Sequence, residues 1–143
     1  MMRRKGFTLV ELVVVILILG ILAGVAAPKM LNTSAKATDN GIKQTLAIVR
    51  DAIELYQANN GALPACNATD GANFISFVQP YIRGSVFPKS PLMGGAAAGY
   101  VKGVTTTTPD ATTGWMYNTN TGEFIVNSSA GSASNAMITY NSF

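Results

Sequence analysis

The feature that most constrains this chain is an apolar run of 21 residues, Phe7 to Ala27, holding a single charge, Glu11. As a helix it is about 31 Å long, enough for a bilayer core of about 30 Å. A carboxylate near the end of such a run is costly unless it meets a partner. Arg3, Arg4 and Lys5 precede the run and account for the whole basic excess. The chain of 143 residues has ten Lys and Arg and seven Asp and Glu, a net charge of +3, and without those three residues the charges balance. A basic leader before an apolar run orients the basic end toward the cytoplasm. The balanced remainder lacks the Lys/Arg density that phosphate contacts need, so no nucleic acid is expected as a partner.

Three readings of this segment compete. A secretory signal fits the basic start, and Val25-Ala26-Ala27 would serve as its cleavage site, but the apolar region is too long and carries an acid. Pro28 would also follow the cut, where it is unfavourable. A plain membrane anchor explains the run and leaves Glu11 unexplained. The third reading rests on "KGFTLVELVVVILILGILAGVAAP", which closely resembles the type III signal of type IV pilins and type II secretion pseudopilins. The resemblance covers the first fifth of the chain closely and the rest more loosely.

The resemblance implies cleavage by a prepilin peptidase between Gly6 and Phe7, with N-methylation of Phe7. Residues 1–6 would be a discarded leader and residues 7–28 the transmembrane and assembly helix. Glu11 becomes the fifth residue of the mature chain, and Pro28 falls where many members have a helix-kinking proline. In the family, the glutamate of an incoming subunit pairs with the N-terminal amine of a neighbour, and Thr8 would add a hydrogen bond. Two charges that are costly alone become tolerable together and set subunit register.

Past Pro28 the helix pattern continues. Leu31, Ala35, Thr38, Ile42, Leu46, Val49, Ile53 and Tyr56 recur at three- and four-residue steps, one apolar face of an amphipathic second half over residues 29–61. Lys36, Asp39, Lys43, Gln44, Arg50, Asp51 and Glu54 mostly lie off that face. Gly61 is the expected C-cap, with Pro64 beyond it. "YQANNGALP" resembles the helix exit of pseudopilins, with Leu63 in place of the usual tyrosine, and the later "FPKSP" resembles a connection in G-type major pseudopilins.

A head over residues 62–143 is expected to hold a short helix at about 73–83, a Thr- and Gly-rich loop at 94–114 with a short strand at Tyr100-Val101, and a β-hairpin at 114–127. The hairpin pattern is clear in "GWMYNTNTGEFIVNSS": Trp115 and Tyr117 alternate, "NTNTG" turns, and Phe124 and Val126 alternate on the return. These four residues and Ile138 are the expected core. "SSAGSASN" reads as a flexible connection and "AMITYNSF" as a last strand. The fold class is α+β, a long N-terminal helix packed on a small antiparallel sheet, the type IV pilin-like fold.

Enzyme chemistry finds no residues to carry it. There is no histidine, no phosphate-binding glycine loop with a lysine, and one cysteine, Cys66, which excludes an internal disulfide. Cys66 reads as a part-buried side chain, with an intermolecular disulfide or a reactive thiol as the alternative. G-type pseudopilins often hold Ca²⁺ through C-terminal aspartates. From Trp115 onward this chain has only Glu123, so neither calcium, another metal nor a cofactor is expected. The resemblance implies a structural subunit of a type II secretion pseudopilus, with a type IV pilin for adhesion, motility or DNA uptake as the alternative. Its implied partners are copies of itself, minor pseudopilins, the prepilin peptidase, an inner-membrane assembly platform, and membrane lipid before assembly. The implied location is the bacterial inner membrane, N-terminus cytoplasmic and head periplasmic, then a filament.

Overall fold

The computed structural model describes residues 6–143, and for Leu31 and Asn32 the backbone only. The expected leader therefore lies, apart from Gly6, outside the described residues. Helix α1 spans Leu9–Asn60 and continues through Pro28, whose missing N–H removes one bond of its ladder. The chain divides into two compact units, Met1–Ala35 and Lys36–Phe143.

In the second unit, α1 buries Ile42, Leu46, Val49 and Ile53, the face the three- and four-residue spacing predicts. Asp39 corrects that reading: it lies on the buried face, not off it. The helix ends where expected. Gly61 takes φ +73° and its N–H donates to the Gln57 carbonyl at 2.8 Å. Helix α2, Ala72–Val78, passes into a 3-10 turn at Gln79–Tyr81. Gly71 before it has φ +67°, and a Cβ there would lie 2.5 Å from the Val101 carbonyl oxygen, so only glycine fits.

The sheet has three strands, β1 (Val101–Val104), β2 (Trp115–Asn118) and β3 (Phe124–Val126), in the order β1-β2-β3. β2 and β3 form the antiparallel hairpin, with Trp115 opposite Val126 and Tyr117 opposite Phe124. β1, however, runs parallel to β2, so the sheet is mixed and the expectation of an antiparallel sheet is corrected. The physical reason is the route of residues 105–114. Lys102, Met116 and Ile125 are in register across the three strands, on the face turned away from the core. Asp110 bonds Lys102 on β1 and also Asn127 just past β3, so the loop crosses that face and re-enters the sheet in the direction β1 began. Met116 and Ile125 on that face are buried.

Buried Asn127 is the stronger fastening. Its Oδ1 accepts from the Asp110 and Ala111 amides at 2.8 and 3.3 Å, and its Nδ2 donates to Asp110 Oδ1 and Thr113 Oγ1 at 2.8 and 3.0 Å. All four of its hydrogen-bonding positions are filled. The Lys102–Asp110 ion pair is half-exposed, and such pairs contribute about 0–1 kcal/mol.

The inner face is aromatic. Phe74 of α2 lies 4.5 Å, ring to ring, from Tyr117 and 6.0 Å from Phe124, and Trp115 lies 5.5 Å from Phe124. The Trp115 indole N–H donates to the Pro88 carbonyl at 2.9 Å, which lets the ring be wholly buried. Ile138 is not part of this core. It is 43% exposed, and Tyr140 is buried instead. The expected last strand is one bridge, Gly131 to Thr139, followed by a 3-10 turn at Tyr140–Ser142. The bridge closes residues 132–138 into a turn, and the Tyr140 amide, bonded to the Ala130 carbonyl at 3.0 Å, sets the next side chain inward.

Candidate functional site

Three residues of the expected motif, Gly6, Phe7 and Thr8, precede α1 in non-helical backbone and are exposed. Thr8 is the residue before the first helical position and Glu11 is the third within it. The Glu11 Oε2 accepts the Thr8 N–H at 2.9 Å and the Thr8 hydroxyl at 2.8 Å, and Thr8 Oγ1 accepts the Glu11 N–H at 3.3 Å. This reciprocal pair is a capping box. It gives amide donors at the helix start partners within the chain, where no turn precedes them. The T-x-x-E spacing carried this signal in the sequence, and weighing Glu11 only as a membrane charge passed over it. The structure thus brings Thr8 and Glu11 together. Both bonds fall on Oε2, and Phe7 supplies neither.

The helix that follows has no face of its own to bury. From Phe7 to Val25 every large apolar side chain is between 44 and 82% exposed. One window of 18 residues in α1 has a mean hydropathy of 2.9, and by length and composition the helix suffices to cross a membrane. An apolar segment open all round needs hydrocarbon or other apolar helices about it.

A shallow cleft of about 480 Å³ is lined by Cys66, Gly103, Val104, Thr105 and Thr119 among others. Its one thiol is held in the protonated form: burial, and secondarily the charge of Asp70, pushes Cys66 up to about 12. The thiol lies 3.4 Å from the Asn67 carbonyl and 3.8 Å from that of Val101. Among the described residues no group of three or more His, Cys, Asp or Glu gathers as a metal would require. Asp110, in the loop before the hairpin, has its oxygens engaged by Lys102, Thr112 and Asn127.

Two α1 side chains that the sequence reading left on the solvent face fasten the head. Arg50 Nε and Nη2 donate to the Phe124 carbonyl at 3.1 and 2.9 Å, and Nη2 also to the Phe143 oxygen at 2.7 Å. Asp39 receives the Ser132 hydroxyl at 2.5 Å, the Ala133 and Ser134 amides at 3.2 and 3.0 Å, and the Ser134 hydroxyl. The stretch expected to be a flexible connection is therefore tied to the helix. Burial opposes ionisation of Asp39, but the bonds from Ser132 and Ser134 outweigh it and hold the carboxyl well below the usual carboxylate range.

The model of the family described as the prokaryotic N-terminal methylation motif matches residues 1–27. Over 66 residues the chain is 38% identical to the type IV narrow pilus major component PilA5 of Thermus thermophilus, covering 46% of this chain and 57% of that one. It is 36% identical over 64 residues to type II secretion system core protein G of Klebsiella pneumoniae, 45% of this chain and 46% of the relative. It is 39% identical over 71 residues to fimbrial protein EcpB of Eikenella corrodens, 50% and 45%. The chain spans about half the length of the curated relatives it matches. No solved structure matches it.

Proposed function

We propose that this chain is a structural subunit of a pilus-like filament, most specifically a type II secretion pseudopilin that polymerises in the periplasm to drive protein export. The observation that carries this is the capping box at the head of an apolar helix exposed on all sides. In the lone chain Glu11 is held by Thr8 through one oxygen, and among the described residues no cation pairs with its charge. Cleavage after Gly6 turns the Phe7 amide into an ammonium. A neighbour's Phe7 ammonium then meets the Glu11 carboxylate, and the pair fixes register as the apolar helices bundle. Gly6 and Phe7 lie in exposed, non-helical backbone, which suits entry into a peptidase site. Pro28, whose missing N–H leaves one helical carbonyl without its donor, is the weak point at which α1 would bend during assembly.

A type IV pilin of a surface pilus is the second reading, favoured by the likeness to a narrow pilus major component and a fimbrial protein. Either way the chain is a scaffold, not an enzyme. It would work with a prepilin peptidase, an inner-membrane assembly platform and companion minor subunits, its head on the periplasmic side. Intact mass of the chain produced with and without a prepilin peptidase tests the reading. The expected product with peptidase begins at N-methylated Phe7; a chain left uncut, or cut elsewhere, overturns it.

A further inference from the structure

In the second unit the outward face of α1 segregates its charges. At about 3.6 residues per turn, Lys36 and Glu54 lie on one line of the helix about five turns apart, with Lys43 within about 20° of that line and Asp51 about 60° round it. All four are exposed. The lysines occupy the N-terminal part of this stripe and the acids the C-terminal part, with uncharged Gln44 and Ala47 exposed between them.

The head pairs none of these charges. Among the described residues the one ion pair is Lys102 with Asp110. The Lys43 ammonium lies 4.4 Å from the centre of the Phe143 ring, a contact that leaves its charge uncompensated. Arg50, one turn before Glu54, spends its guanidinium on the Phe124 and Phe143 oxygens. A parallel copy laid alongside without a shift would set lysine against lysine and acid against acid. The midpoint of the lysines and the midpoint of the acids are about 20 Å apart along the helix. Slid by that distance, one copy brings Lys36 level with Asp51 and Lys43 level with Glu54 of the other, each to within about 3 Å.

We propose that Lys36 and Lys43 of one copy pair with Asp51 and Glu54 of a second, parallel copy shifted by about 20 Å along α1. An antiparallel pair would also match the charges, but copies of one filament enter the membrane in the same sense, which leaves the staggered parallel arrangement. Lysine end and acid end are different surfaces of one chain, so the contact is heterologous and repeats from copy to copy without closing, as a filament requires. Exposed ion pairs add little affinity; these supply register, because like charges meet at zero shift and opposite charges at the stagger. This contact rests on the reading of the chain as a filament subunit and gives the axial step between copies whose helices touch outside the membrane.

The test is charge reversal in the full chain, assembled with its peptidase and assembly machinery. One variant carries Lys36→Glu with Lys43→Glu, a second carries Asp51→Lys with Glu54→Lys, and a third carries all four substitutions. Each double reversal sets like charges together at the stagger, and filament yield should fall at least tenfold. The fourfold reversal exchanges the two ends and restores opposite charges between copies, so yield should recover to within about twofold of the unsubstituted chain. It restores no contact within a copy, not even that of Lys43 with Phe143, so recovery reads the pairing between copies and not the fold of one. Unchanged yield from either double reversal overturns the contact, and so does a fourfold reversal that stays as poor as the doubles. If the unsubstituted chain forms no filaments, the filament reading itself fails. If it and the double reversals all assemble normally, only the staggered contact fails.

Discussion

Ser132 donates its hydroxyl to Asp39 at 2.5 Å across 93 residues of sequence, joining the last loop of the chain to the face that α1 turns inward. The carboxylate does for this loop what a side-chain cap does for a helix: it collects hydroxyl and amide donors that would otherwise be buried without acceptors. Removing it strands several donors at once. Asp39→Ala should destabilise the head by about 2–3 kcal/mol. Unfolding followed by the fluorescence of Trp115, the chain's one tryptophan, reads this directly.

The same carboxyl sets an acid limit. Its folded pKa is depressed, so its contribution is complete above the unfolded value of about 3.9 and is lost as the pH falls through that value toward the folded one. Stability of the unsubstituted chain should therefore drop below about pH 4. Asp39→Asn should lose this part of the acid dependence, seen as a shallower fall in unfolding midpoint between about pH 5 and pH 3. An identical slope in both proteins would mean that other carboxyls govern it.

Ala111 has φ 56°, the one non-glycine residue at positive φ among the described residues, because its amide and that of Asp110 both turn to Asn127 Oδ1. The left-handed region costs an alanine about 1 kcal/mol. Ala111→Gly should stabilise the head by about 0.5 kcal/mol, the relieved strain less the extra freedom of the unfolded chain. A loss of stability would show that the alanine methyl packs to more effect than its backbone strains.

Cys66 should behave as a packed side chain. With its thiol pushed up to about 12, the thiolate fraction at pH 8 is on the order of a thousandfold below that of a free cysteine. Alkylation of the folded chain should be slower by a similar factor and recover on unfolding. Rapid labelling, or spontaneous disulfide-linked dimers, would contradict this.

The parts of the fold legible in the sequence are those in which one side-chain property repeats at one spacing. Ile42, Leu46, Val49 and Ile53 declared the buried helix face, and Trp115, Tyr117, Phe124 and Val126 the inner face of the hairpin. Asp39 was invisible because residue type argued for solvent, and only donors 93 to 95 residues away make its burial tolerable. The parallel placement of β1 was equally hidden. It depends on where a ten-residue loop crosses, and that is decided by Asn127 and Asp110, not by alternation in the strands. Ile138 misled for the converse reason: an apolar residue near aromatics reads as core, but the Gly131–Thr139 bridge turns it out and Tyr140 in. The capping box at Thr8 and Glu11 was in plain view as T-x-x-E.

That box also supplies the sharpest test of the filament reading. If Glu11 serves only to cap α1, glutamine at the same position serves nearly as well, since both occur there in capping boxes. If Glu11 is needed as a charge for a neighbour's Phe7 ammonium, glutamine fails. The measurement is filament yield from Glu11→Gln in the full chain, alongside the intact mass of the subunit. The expected result is a membrane-inserted, processed subunit beginning at methylated Phe7 that forms no filaments. Filaments at the yield of the unsubstituted chain would contradict the charge pairing and leave Glu11 as a helix cap alone.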